Sequence, residues 1–308
     1  MRRDLGEALV ECGTANPAVV VLDADASSST MTILFQKAFP DRFYNVGIAE
    51  AGMIDTAVGL ALGGKVPFAS AFAAMLANRG LEQIRTCVAY NGANVKLLAG
   101  YAGLSDFKDG PTHHSVFDLA VMRAVPGMTV VVPADGNELR AAIHAAAERQ
   151  GPVYIRVSRA DVPPVFDRGI DFPIGRGRQM RDGADVTLVV CGVPLGRTLA
   201  AAELLAAEGI AARVVEMHTL KPLDTGLLAR CARETRAIVT VEEHSVIGGL
   251  YGACAEALAG GRSVPMRAVG IRDTFACTGP DPEAMLDRFG FRPEDIARAA
   301  REALGEAR

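Results

Sequence analysis

Ala18-Val19-Val20-Val21-Leu22-Asp23-Ala24-Asp25 decides the fold of this chain. An unbroken β-branched run ends on an acidic turn. Strands that show no polar alternation are covered on both faces, as in parallel sheets. Working outward, 41–46 leads into a second short strand. A helix follows from about Glu50, with Met53, Ile54, Ala57, Val58 and Ala61 at helical spacing. Residues 66–68 read as a strand, 71–90 as one long helix and 95–99 as a strand. A Gly-rich loop spans 100–112. Then come helix 117–123, strand 129–132, helix 136–149 and strand 153–157. Strands alternating with helices imply right-handed crossovers and a doubly covered, mostly parallel sheet.

Residues 159–183 break the pattern with Pro163, Pro164, Pro173 and several glycines. A second series follows, with strands at 186–190, 212–216, 237–241 and 264–269, and helices at 196–208, 248–258 and 293–304. The expected fold is α/β: two consecutive three-layer α/β/α domains with mostly parallel sheets. The expected boundaries are 1–160, a linker at 161–183, and 184–308. A length of 308 residues agrees with two domains.

Half the residues are hydrophobic and the formal net charge is −4, which gives no reason to expect nucleic acid or a membrane surface as partner. The first residues, Met1 to Glu7, show no signal-peptide pattern, and no stretch reaches the ~18 apolar residues of a membrane span. The six cysteines are scattered without a C-x-x-C pair, so buried reduced thiols in a cytoplasmic protein are expected.

Gly59-Leu60-Ala61-Leu62-Gly63-Gly64-Lys65 has phosphate-loop spacing. Yet Val66 stands where Ser or Thr should hold magnesium, and the segment ends a helix instead of opening one. Gly63-Gly64 reads better as a helix stop. Gly175-x-Gly177 lacks the third glycine of a dinucleotide fingerprint. No Cys/His cluster announces a transition-metal site.

Two segments carry chemistry. Tyr44-Asn45-Val46-Gly47-Ile48-Ala49-Glu50 puts a lone carboxylate at the start of an apolar helix. Glu50 is either a solvated first-turn acid favoured by the helix dipole or a buried acid placed for proton transfer. Lys108-Asp109-Gly110-Pro111-Thr112-His113-His114 puts an acid and two imidazoles on a stiff turn, where one acid alone would be an ordinary surface loop.

With these segments in hand, the whole chain resembles the C-terminal half of transketolase and of its relative 1-deoxyxylulose-5-phosphate synthase. Matching segments occur in order: Asp23-Ala24-Asp25 with Ser27-Ser28-Ser29, Gly47-Ile48-Ala49-Glu50, Ser70-Ala71-Phe72, Asp109-Gly110-Pro111-Thr112-His113 and Val157-Ser158-Arg159. Lys221-Pro222-Leu223-Asp224 and Val241-Glu242-Glu243-His244 with Gly248-Gly249 match in the second half. The resemblance implies a pyrimidine-binding domain, then a transketolase C-terminal domain, with thiamine diphosphate as cofactor. Glu50 matches the glutamate that bonds N1′ of the cofactor's aminopyrimidine and so promotes proton loss from its thiazolium carbon. Phe72 matches an aromatic of the pyrimidine pocket, and Asp25 an acid near the cofactor at a subunit interface. Asp109 and His113 match contacts to sugar hydroxyls, His113 counting also as catalytic. Arg159, Ser29 and Arg3 match contacts to the sugar phosphate.

Met75 stands where the family usually has a second aromatic, so Phe72 and Met75 compete as the residue that stacks on the pyrimidine. His114 stands where many relatives have Gln, among the sugar contacts. The family's Gly-Asp-Gly site for diphosphate and Mg2+ is missing. The chain therefore reads as one subunit of a split enzyme, an N-terminal partner subunit holding Mg2+, with a heterotetramer expected. The leading reading is transfer of a two-carbon ketol unit between phosphosugars. The rivals are a 1-deoxyxylulose-5-phosphate synthase-like enzyme, a 2-oxoacid dehydrogenase beta-type subunit, and a non-catalytic regulatory half.

Overall fold

The computed structural model describes residues 1–261 and 263–306, so the end of the expected second domain, 307–308, lies outside the described residues. Its strands are β1 (Val19–Asp23), β2 (Phe43–Asn45), β3 (Val66–Phe72), β4 (Lys96–Gly100), β5 (Thr129–Val131), β6 (Val153–Val157), β7 (Arg178–Arg181), β8 (Val186–Cys191), β9 (Ala212–Glu216), β10 (Thr219–Lys221), β11 (Ala237–Ser245) and β12 (Met266–Ile271). A seven-stranded sheet runs β10-β5-β6-β4-β3-β1-β2 and a five-stranded sheet β12-β11-β8-β9-β7. Every neighbouring pair is parallel except β10 with β5 and β7 with β9. The opening run is a wholly buried strand, which pairs Val21 with Phe43 on one side and with Phe68 on the other. Among the described residues no helix is long and apolar enough to cross a membrane, and all six cysteines are free thiols.

Three expectations need correction. The 71–90 segment is not one helix. β3 runs on through Ala71 to Phe72, because β4 continues to pair with it there, Ala99 with Ala71 and Gly100 with Phe72, after the β1 edge ends at Asp23 opposite Ser70. Its helical remainder divides into Ala73–Arg79, Leu81–Gln83 and a π-helical turn at Ile84–Ala89. Gly80 marks the break; a Cβ there would lie 2.3 Å from Ile54 Cδ1, so the chain must be bare where it crosses the Glu50–Leu62 helix. The 161–183 segment is not all linker, since it supplies β7 as an antiparallel edge strand of the second sheet. The second half also returns β10 to the first sheet.

That return joins the two units. Val130 and Val132 share an apolar cluster with Val189, Val215, Met217 and Leu220. The Gly63-Gly64 stop is as read, with the helix ending at Leu62 and Gly64 at φ +84°.

Candidate functional site

Connections leave β1 in opposite directions, since β2 and β3 flank it on its two sides. Such a switch point leaves a crevice beyond the carboxyl ends of the strands. The turn after β1 is fixed by Asp23, whose buried carboxylate accepts hydrogen bonds from Ala26 N (2.6 Å), Thr32 Oγ1 (2.8 Å) and Thr30 Oγ1 (3.2 Å). Burial pushes this acid's pKa up, against those bonds. Asp25 follows at φ +61°, exposed, and accepts from Asn45 Nδ2 at 3.0 Å. Ser29 sits in the short helix Ser27–Thr30.

After β2 the chain turns at Gly47, φ +73°, and Glu50 opens the next helix. Glu50 is buried and not a solvated first-turn acid, at 6% exposed. Its carboxylate accepts from one nitrogen of Arg79, whose side chain is half in solvent. Around this acid the surface is open and apolar. Ile48 is 74% exposed, and a Cβ built on Gly47 or Gly52 would meet nothing within 4 Å.

Phe72 ends β3 and stacks, tilted, on Tyr101 at 4.5 Å, with His113 edge-on at 6.0 Å. Tyr101 follows β4 in the left-handed region, φ +58°, a strained position for a bulky residue. Met75, half-buried, lies one turn into the helix that Phe72 caps.

Arg159 follows β6. Its Nη1 lies 2.6 Å from Asp106 Oδ1, and the guanidinium carbon is 5.0 Å from the Tyr101 ring and 5.1 Å from Phe107. Asp106 is wholly buried, and when ionised its Oδ2 finds no donor among the described residues. Burial and the nearby Asp109 raise its pKa, while Arg159 opposes them.

A second guanidinium reaches this cluster, and it belongs to Arg2. Its Nη1 donates to Ser29 O (3.1 Å) and Tyr101 Oη (3.2 Å). Arg3 points elsewhere: its side chain is 81% exposed and pairs with Glu7. The helical period could have told them apart. Leu5 and Leu9 are buried on the Arg2–Ala15 helix, and Arg2 precedes them at i−3 and i−7, whereas Arg3 and Glu7 share the outer face.

The Asp109–His114 turn splits its groups. Asp109 is exposed and His113 half-buried toward Phe72. His114 turns inward, 3% exposed, and burial lowers its pKa, while the backbone of Asp106 and Leu104 opposes that.

The second unit holds this loop in place. Leu104 N donates to Glu243 Oε1 (2.6 Å) and Leu119 N to His244 Nε2 (3.1 Å). Arg156, fully enclosed, donates to Asp118, Ser115 O and Glu243 O. The Glu242-Glu243-His244 segment thus clamps the loop that carries Asp109 and His113. Burial pushes His244 down to about 4, so it is a neutral ring that accepts at Nε2 and donates from Nδ1 to Ser245 O. Asp224, likewise, caps the Thr225–Glu234 helix through Leu227 N.

The edge therefore joins a buried acid under an open apolar face to two guanidiniums set on one tyrosine, a geometry suited to a flat ring beside a phosphorylated or otherwise anionic chain. Among the described residues no group of three or more His, Cys, Asp or Glu can hold a metal ion.

Comparison with known proteins agrees with this layout. The family described as the pyrimidine-binding domain of transketolase matches residues 1–164, and the transketolase C-terminal domain matches 175–296. The chain is 41% identical to a putative transketolase C-terminal section of Methanocaldococcus jannaschii, over 99% of this chain and 96% of that one. It is 40% identical to the 6-deoxy-6-sulfo-D-fructose transketolase subunit SqwH of a Clostridium species, over 96% and 91%. A solved split-gene transketolase, described as an inactive β4 tetramer, superposes with a TM-score of 0.93 at 48% identity, covering 100% of this chain and 99% of that one.

Proposed function

This chain belongs to the transketolase family, and from that premise we propose that it is the C-terminal subunit of a split, thiamine-diphosphate-dependent transketolase that moves a two-carbon ketol unit between phosphosugars. The observation that carries this reading is Glu50, an acid buried at a helix start beneath an otherwise open apolar face. That face fits an aminopyrimidine. A Cβ on Gly47 or Gly52 would meet nothing within 4 Å, which leaves room for a flat ring, and Glu50 would hold a proton at ring nitrogen N1′ once Arg79 swings aside. Phe72 and Met75 supply the apolar wall, and Asp25 with Asn45 the polar rim. When bound, the cofactor supplies the carbon nucleophile that the side chains of this chain lack.

Arg159 and Arg2 take the sugar's terminal anion, while Asp109 and His113 take its hydroxyls. His114 and Arg3 have no contact role here, because their side chains face away. Ser29 contributes through its carbonyl, which orients Arg2. No metal site fits the described residues of this chain, so the reading assigns Mg2+ and the diphosphate to an N-terminal partner subunit. It places the pair in the cytoplasm as a heterotetramer. The relative described as a β4 tetramer supports self-association of this half.

The test is co-purification with a Gly-Asp-Gly-bearing partner and a coupled assay of ketose phosphates against aldose phosphates. Thiamine-dependent ketol transfer by the pair supports the reading. Turnover of pyruvate with glyceraldehyde phosphate instead would assign the chain to the synthase branch.

A further inference from the structure

Ser105-Asp106-Phe107 frames Arg159. The Ser105 hydroxyl accepts the arginine's backbone N–H at 3.0 Å, Asp106 Oδ1 accepts from its Nη1 at 2.6 Å, and the Phe107 ring lies 5.1 Å from its guanidinium carbon. Tyr101 faces the same carbon at 5.0 Å. The frame is anchored in turn. Ser105 Oγ donates to Ala102 O at 2.6 Å, Gly279 N donates to Phe107 O at 3.0 Å, and Glu243 holds Leu104 N. A guanidinium presents its donors as a rigid planar fork. The arginine side chain is 20% exposed and the Asp106 carboxylate wholly enclosed, so their bond draws one corner of the fork inward. Nε and Nη2 have no acceptor among the described residues, which leaves the other edge for a ligand.

Asp106 also brings a charge that an anion must meet. Arg2 and Arg159 are positive; Asp106 and Asp109, when ionised, cancel them. Asp106 then has an enclosed oxygen, Oδ2, with no donor among the described residues, and Asp109 lies close enough to repel it or to share a proton with it. Burial and Asp109 push the Asp106 pKa up, and Arg159 opposes them. A proton on this acid satisfies Oδ2 and frees the charge of Arg159 for a ligand, while Oδ1 keeps its hold on Nη1. The charged and titratable groups facing Asp106 come from four elements. Lys108, Asp109 and His114 share its loop. Arg159 follows β6, Arg2 reaches Tyr101 from the N-terminal helix, and Glu243 on β11 stands behind Leu104. His113 is turned toward Phe72 instead.

We propose that Asp106 is a positioning residue for the sugar's terminal anion: it turns the Arg159 fork toward the anion, and it takes up a proton from solvent as the anion binds. This rests on the reading of Arg159 as the anion contact. The sign follows from the charges. The bound state holds a proton that the free state has released, so an anion of fixed charge binds more tightly as pH falls. The same pair explains why a buried acid stands beside an arginine needed for an anion. Without Asp106 the fork is free to turn its donors elsewhere, and with a permanently ionised Asp106 the anion meets a negative neighbour.

The test is calorimetric titration of the full chain with sodium sulfate, whose charge is fixed over the range, at about pH 5.5, 7 and 8.5 and in two buffers of different ionisation heat. Sulfate should bind about 5- to 30-fold more tightly at the acid end, with proton uptake that the buffer comparison counts. Asp106→Asn still offers Arg159 an amide oxygen, so it should bind sulfate without proton uptake and without the rise toward acid. Asp106→Leu offers nothing and should bind about 10-fold more weakly than wild type at the acid end. Glu243, pushed up to about 7 by burial, and His114 titrate in wild type and variants alike, so the difference between profiles isolates Asp106. Melting curves establish that the variants fold, and should Asp106→Leu not fold, the Asp106→Asn profile decides. An Asp106→Asn profile as steep as that of wild type, or wild-type binding without proton uptake, would overturn the role of Asp106 and leave Arg159 standing. Sulfate heats unchanged in Arg159→Ala, or none at about 50 mM, would instead overturn the Arg159 reading beneath it.

Discussion

One nitrogen of Arg79 spans both carboxylate oxygens of Glu50, at 3.1 Å and 3.3 Å. The acid is buried, but the arginine is half exposed, so it can swing into solvent once another donor takes its place on the carboxylate. Arg79 therefore occupies the place on Glu50 that the cofactor ring would take.

From this the two residues should separate on mutation. Glu50→Gln keeps the size and removes the proton acceptor, so the reconstituted complex should lose ~10²–10⁴-fold in kcat. Arg79→Ala should leave kcat within about 5-fold while lowering the Tm of the lone chain, because it strips a buried carboxylate of its partner. Steady-state assays of both variants, paired with the partner subunit, check this. Equal losses would mean that Glu50 acts only through its ion pair.

The two guanidiniums on Tyr101 make a second prediction. Arg159→Ala and Arg2→Ala should each raise KM for phosphorylated sugars about 10- to 100-fold, the range expected for a charge-assisted contact, with far less effect on unphosphorylated analogues. Arg3→Ala should stay within about 2-fold, because its side chain faces solvent and Glu7. A 6-sulfo sugar belongs in the same series, since a relative is named for one. An Arg3 effect as large as that of Arg2 would refute the placement.

The split site proposed above, with no metal-holding group among the described residues, makes a third. The purified chain alone should show no thiamine-dependent turnover at any Mg2+ concentration, and titration with the partner should restore it to a plateau at equal subunit ratio. Robust activity of the lone chain would refute the split-site reading.

How much of this was legible in the sequence follows from burial. β1, β6 and β8 are covered on both faces and were readable as apolar runs. β7 and β10, Arg178-Gln179-Met180-Arg181 and Thr219-Leu220-Lys221, are short edge strands with charged ends and no run to read. Ala71 and Phe72 suit a helix locally, and their pairing with Ala99 and Gly100 of β4 overrode that. Glu50 could be placed at a helix start from sequence, but not assigned to solvent or to burial, because that depends on Arg79, which lies on another element. The choice between Arg2 and Arg3 was decidable by helical phase, from Leu5 and Leu9, but only once 2–15 was known to be a helix.

The junction between the two units makes the last prediction. Glu138, on the Gly136–Glu148 helix, and Glu216, at the end of β9, are both fully buried and share Arg178 Nη1 at 3.2 Å each. With both acids ionised, Glu216 Oε1 finds no donor among the described residues, and a proton between Glu216 and Glu138 would supply one. Burial raises both pKa values, most for Glu216, where Glu138 and Asp135 add repulsion that Arg178 only partly offsets. A carboxyl whose pKa is raised by folding binds a proton that the unfolded chain has released. Its contribution is therefore complete below the unfolded value of 4.5 and is lost as pH climbs through the folded value. The pair's contribution to wild-type Tm should therefore fall as pH rises above 4.5. Glu216→Gln, which stays neutral and still offers Arg178 an amide oxygen, should fall less steeply, gaining a few degrees at the alkaline end at about 2–4 °C per kcal/mol. Glu242 and Glu243, each pushed up to about 7 by burial, titrate in the same window in both proteins, so the difference between the two melting profiles isolates the junction. Parallel profiles would show that the pair carries no shared proton.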